Sequence, residues 1–152
     1  MRLLQARELF RIIAGVLLSS CADSVAAPVE PLAGATPVAV SLVGTGGISL
    51  FGLPRFQVSG LSEAVQVTWE VEDGPCLLFE ASAKRAGSVV QIEIRRSGNP
   101  LANCANVRVA HRYVARVDGL SPGPFEIRLT DRWPERSSTL MGRRTVVVLP
   151  RR

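Results

Sequence analysis

From Val38 onward, apolar and polar residues alternate along the chain with a period of two. Val65, Val67, Trp69 and Val71 fall on one side, and Gln66, Thr68, Glu70 and Glu72 on the other. Val90, Ile92 and Ile94 alternate with Gln91, Glu93 and Arg95, and Phe125, Ile127 and Leu129 with Glu126, Arg128 and Thr130. Successive side chains of a strand point to opposite faces, so each run predicts a strand with one buried face and one wet face. Further strands are predicted at Val38–Val43, Arg55–Val58, Cys76–Ala81, Val107–Val117 and Thr145–Leu149. Between them stand Gly44-Thr45-Gly46-Gly47, Glu72-Asp73-Gly74-Pro75, Ser97-Gly98-Asn99-Pro100 and Ser121-Pro122-Gly123-Pro124. These supply the positive φ and fixed φ that turns need and helices reject. No stretch carries a helical stripe. The pattern predicts an all-β, antiparallel sandwich of about seven to nine strands over residues 38–152.

The first 20 residues break the pattern. Met1 to Arg11 is basic, with Arg2, Arg7 and Arg11 against Glu8, and Ile12 to Leu18 is an unbroken apolar run. Seven residues are far too few to cross about 30 Å of hydrocarbon as a helix, but they suit the apolar core of an export signal. The competing reading is a short buried N-terminal helix. Leu18-Ser19-Ser20-Cys21 follows: an aliphatic residue, two small ones, then Cys. This resembles the lipobox of bacterial lipoproteins. The resemblance implies cleavage before Cys21, a diacylglyceryl thioether on its sulfur and an acyl chain on the new N-terminus. Several acyl chains hold a protein stably where a single one is marginal. Ala22, where an Asp would signal retention, implies the outer membrane, facing the periplasm or the cell surface. A cut after Ser24-Val25-Ala26, which would release a soluble secreted protein, is the alternative. Residues 21–37, rich in Ala and Pro without an apolar period, read as a tether or as a ragged terminus.

The chain has 152 residues, enough for one domain with its own core, and 47% hydrophobic content excludes a largely disordered chain. Aromatic residues are only 5%, so Val, Ile, Leu and Ala must fill the core. Of the net charge of +5, the leader contributes +2. The remaining surplus is spread arginine, not interleaved with aromatics, which argues against nucleic acid as a partner.

Two stretches resemble the immunoglobulin-like and fibronectin-like sandwiches of bacterial surface proteins. Val65-Gln66-Val67-Thr68-Trp69 looks like an early strand with a core Trp. Leu120-Ser121-Pro122-Gly123-Pro124-Phe125-Glu126-Ile127 looks like a corner in which Leu plugs the sandwich end, Pro-Gly reverses the chain and the aromatic re-enters the core. Phe125 stands where a tyrosine corner would have its hydroxyl. The resemblance implies architecture and carries no activity.

Candidate chemistry is sparse. If Cys21 is lipidated, Cys76 and Cys104 remain, and an oxidising compartment predicts a disulfide between them. A zinc or redox role lacks a C-x-x-C and a second His. His111, the one His, shares the parity of Val109 and Tyr113 and is predicted to face inward without a catalytic partner. Glu70, Glu72 and Asp73 could suit a carboxylate pair about 7 Å apart along a strand, or part of a calcium site, but read better as a solvated edge. Gly44–Gly47 lacks the Lys-Ser/Thr of a phosphate loop and reads as a hairpin turn. Arg108, Arg112 and Arg116 make a cationic stripe on one strand face, a candidate contact surface for anionic envelope material unless Glu93 or Glu126 neutralises it. Trp133, between Arg132 and Pro134, is a candidate contact residue or a cap on the core. No nucleophile–base pair, cofactor motif or metal set emerges. The expected function is therefore a lipid-anchored envelope module that binds or supports an assembly without catalysis. The alternative is an enzyme regulator, such as a protease inhibitor using Asp131–Gly142 as an inserted loop.

Overall fold

A computed structural model describes residues 29–46, 56–73, 76–98, 109–134 and 137–151. The leader, Cys21, Cys104 and Arg108 lie outside the described residues. Nine strands are described and no helix among them: β1 (Thr36–Val38), β2 (Val40–Gly46), β3 (Phe56–Leu61), β4 (Ala64–Asp73), β5 (Leu77–Ala86), β6 (Val89–Gly98), β7 (Val109–Asp118), β8 (Gly123–Arg132) and β9 (Thr139–Val148). They form a five-stranded sheet in the order β1-β5-β6-β8-β9 and a four-stranded sheet in the order β2-β7-β4-β3. The protein is an all-β, two-sheet fold of sandwich type.

The predicted alternation accounts for the core. Val65, Val67 and Trp69 of β4, with Tyr113, Ala115 and Val117 of β7, face Val90, Ile92 and Ile94 of β6 and Phe125, Ile127 and Leu129 of β8, all buried in one cluster. Leu120 and Phe125 are buried on either side of the Pro122-Gly123 reversal, as the corner motif requires. Gly123 sits there at φ 135°, which an L side chain rarely adopts.

One pairing departs from the expected antiparallel sheets. β6 and β8 are parallel, Val90 opposite Ile127 and Ile92 opposite Leu129. The cause is connectivity: the chain leaves β6, returns through β7 in the other sheet and re-enters beside β6 in the original direction. Predicted turns also yield to strand. Gly44–Gly46 continues β2 opposite His111–Tyr113. Gly44 is needed for space, because a Cβ there would lie 2.6 Å from the Tyr113 ring. Likewise Asp131–Gly142 is no inserted loop: β8 runs to Arg132 and β9 starts at Thr139, with Met141 as the extra residue of a bulge opposite Leu129 and Thr130.

Both flanks of the sandwich are closed. On one, the chain passes from β1 in the larger sheet directly into β2 in the smaller. On the other, β3 and β9 meet along a seam. Leu149 N donates to Leu61 O at 2.9 Å, and Glu63 N to Leu149 O at 3.0 Å. Gly60 lets the strands touch, because a Cβ on it would stand 1.8 Å from the Val147 carbonyl oxygen.

The segment assigned to a tether is partly built into the fold. Thr36 and Pro37 belong to β1, an edge strand where proline's missing N–H costs no ladder bond. Val29 N donates to Ser138 O at 3.4 Å, beside β9 at the opposite edge of the same sheet. Residues 29–35 therefore cross that sheet, on its outer side because the inner side is filled by the core, with Val29, Leu32 and Ala35 half-buried.

Candidate functional site

The two ends of the sandwich differ in kind. One end carries the tight turns at Ser62–Glu63, Gly87–Ser88 and Gly119–Pro122. At the other end β2, β4, β6 and β8 finish and β3, β5, β7 and β9 begin, so that all the longer connections leave from it. Phe79, His111, Tyr113 and Trp133, with the pairs Arg96–Asp131 and Arg112–Glu70, lie toward this second, loop end.

Arg96 organises it. Val90, Ile92 and Ile94 of β6 face inward, and Arg96, two residues on, carries a guanidinium onto the same apolar face at the limit of the core. Its Nε donates to Asp131 Oδ1 at 2.8 Å, the two side chains being only 9% and 13% exposed. The guanidinium carbon stands 5.5 Å from the Phe79 ring centroid and 5.2 Å from that of Trp133. An arginine between two ring faces gains from their quadrupoles while its charge is balanced by the carboxylate. Trp133 is thus a cap on Arg96 with its remaining surface in solvent, at 37% exposure. Of the two roles the sequence left open, the structure shows the cap.

A second cluster lies deeper. Tyr113 centres it, with ring centroids 4.3 Å from Phe79, 5.5 Å from Trp69 and 5.9 Å from His111. His111 does face the side its parity predicted, stacked on Tyr113. Its Nε2 is buried without a hydrogen-bond partner among the described residues. No group of three His, Cys, Asp or Glu able to hold a metal ion occurs among the described residues.

The arginine stripe is not an open cationic surface where it is described. Arg112 donates from Nε and Nη2 to Glu70 Oε1 at 2.9 and 2.6 Å, and Arg116 donates from Nε to Asp118 Oδ1 at 2.7 Å. The neutralising partners are therefore Glu70 and Asp118, not the Glu93 and Glu126 that the sequence suggested. Register explains the first: Glu70 is directly opposite Arg112 in the β4–β7 ladder. Glu70 is in turn buried, its side chain 3% exposed, which corrects the solvated acidic edge expected there. Glu126 instead pairs with Arg128 at 2.6 Å, and Glu93 lies within 4 Å of both Arg95 and Arg132 and accepts from the Ser138 hydroxyl at 2.7 Å.

Cys76, half-buried just before β5 at this same end, has its sulfur in a disulfide. The described residues contain no second cysteine.

Arg96–Asp131 escaped the sequence reading although its signal was present. Both residues extend an apolar i, i+2 series by one step, Val90-Ile92-Ile94-Arg96 and Phe125-Ile127-Leu129-Asp131. Opposite charges at the same end of two neighbouring inward series are what a buried pair looks like in sequence. Comparison of the chain with protein-family models, with curated proteins and with solved structures gives no match.

Proposed function

We propose that this chain is a lipid-anchored envelope module that works by contact and not by catalysis. The observation that carries the reading is Leu18-Ser19-Ser20-Cys21 directly after a basic and apolar leader. The described part of the fold supports it: Arg96 and Arg112 at the loop end are matched by Asp131 and Glu70, and the aromatic residues there are arranged to stack and cap. On this reading residues 1–20 are removed, Cys21 carries the lipid and Ala22 directs the protein to the outer membrane. The sandwich belongs to the immunoglobulin-like class, on the strength of the Leu120–Phe125 corner and the core Trp69. The test is metabolic labelling with palmitate in a bacterial host. Label is expected on the wild type and lost in Cys21→Ala; a soluble, unlabelled wild-type protein in the medium overturns the reading.

The disulfide partner of Cys76 is Cys104 on the same reading, since lipidation occupies Cys21. The bond would close a loop spanning all of β5 and β6. For a loop of 28 residues the chain-entropy model gives at most about 3.5 kcal/mol, and engineered bridges commonly deliver less. Peptide mapping without reduction is expected to recover Cys76 joined to Cys104. Replacing both by Ser should lower the melting temperature with no change in palmitate labelling. A Cys76 peptide joined to Cys21 would refute the pairing.

A further inference from the structure

We infer that the loop end of the sandwich faces the bilayer that holds the Cys21 lipid, and that Trp133 rests in its interfacial zone. The inference depends on the lipid-anchored reading above and adds to it an orientation and a contact residue. The first ground is where the chain leaves the fold. Val29 is held against Ser138, next to the β8–β9 hairpin, at the loop end. Eight peptide units separate it from Cys21. Fully extended they reach at most about 29 Å, and as a flexible coil about 16 Å. A ten-residue strand is about 33 Å long. Cys21 is therefore held within about 29 Å of the loop end, short of the roughly 33 Å that separates the two ends of the sandwich.

The second ground is what that end exposes. Trp133 is the first residue after β8, Leu78 the second of β5 and Leu140 the second of β9, and they are 37%, 49% and 39% exposed. Trp is the side chain best suited to the headgroup zone, with an apolar body and one N–H donor. Val147 and Leu149 are exposed too, but at the far end of β9 and without an aromatic.

The third ground selects the kind of surface. Near Trp133, Arg96 is matched by Asp131, while Arg95 and Arg132 share Glu93, with Glu80 opposite Arg95 in register. Among the described residues there, positive and negative side chains balance, so the contact is apolar and interfacial in character. Attraction to anionic headgroups would need a surplus of cations. The contact should accordingly survive added salt.

The experiment uses the full lipidated protein reconstituted in phosphatidylcholine vesicles, with and without bromine on the acyl chains near the headgroup. Bromine quenches only tryptophans at lipid depth. Trp69 is 1% exposed inside the core, so it serves as an internal reference. Emission is expected to fall in brominated vesicles, to fall equally in high salt or with phosphatidylglycerol added, and to be unaffected by bromine in Trp133→Phe. Flotation and the mass of the mature chain run in parallel. A floating, lipid-bearing protein whose emission ignores bromine overturns the orientation and leaves the anchor standing. A chain without lipid overturns the anchor and the orientation with it. A Trp133 shielded from bromine and from aqueous acrylamide alike, in a chain that sediments as a dimer, assigns the hairpin to a second copy instead.

Discussion

Gly60→Ala is expected to lower stability by about 4–5 kcal/mol and to open the seam between the two sheets. The added methyl would stand 1.8 Å from the Val147 carbonyl oxygen, with the Val147 carbonyl carbon at 2.8 Å. A clash with a flexible side chain can be relieved by a rotamer change, but this one is with backbone. The strands must separate. Overpacking of a tight site costs about 1–3 kcal/mol, and more when backbone must move. The two hydrogen bonds that flank the site, Leu149 to Leu61 and Glu63 to Leu149, would be lost with it, each contributing about 1 kcal/mol net. Against a total stability of roughly 5–15 kcal/mol this is enough to unfold part of the population at physiological temperature. Urea denaturation followed by circular dichroism measures it. Gly142→Ala provides the comparison: its Cβ would meet the Phe56 ring, a side chain able to swing aside, so the loss should be clearly smaller. Equal melting of Gly60→Ala and wild type would mean that the β3–β9 seam is not tight.

Asp131→Ala is expected to be nearly as damaging, and a second substitution should repair it. Removing the carboxylate takes away the oxygen to which Arg96 Nε donates, beside a guanidinium packed against Phe79 and Trp133. Breaking one side of a buried ion pair costs about 3–5 kcal/mol, whereas replacing both sides with apolar residues of similar volume is often close to neutral. Arg96→Met with Asp131→Leu should therefore recover most of the stability lost in Asp131→Ala. The double variant keeps the packing against both rings and removes both desolvation costs. If it melted as low as Asp131→Ala, the cost would lie in lost shape and not in the broken ion pair.

The core was legible in the sequence because a half-buried strand writes its orientation every second residue, and β4, β6 and β8 do so without interruption. The corner at Leu120–Phe125 was legible because proline and glycine fix backbone geometry locally. Gly44 and Gly60 were not, because glycine marks two unlike things: a turn, or a place where something else comes close. Only the packing of Tyr113 and of β9 tells them apart. The partners of the arginines were missed for another reason. Which carboxylate lies opposite Arg112 is a matter of register between β4 and β7, strands separated by two others in the chain, and no local pattern encodes it. The parallel β6–β8 pair lay beyond reach on the same ground. Strand order is decided by which sheet β7 joins, and that depends on the sum of many weak preferences.

That pairing also constrains how the molecule can assemble. Adjacent antiparallel strands can zip up from a turn as soon as both exist, as β3–β4 and β5–β6 can. β6 and β8 cannot, because the return strand between them must first find its place in the opposite sheet. Folds dominated by contacts distant in sequence close slowly, on the order of milliseconds to seconds. β9, the last of the described strands, completes the larger sheet and seals β3 in one event. A chain delivered N-terminus first therefore waits for β9 before either flank of the seam is protected. Deletion of β9 should cost the whole fold its cooperativity, not one strand.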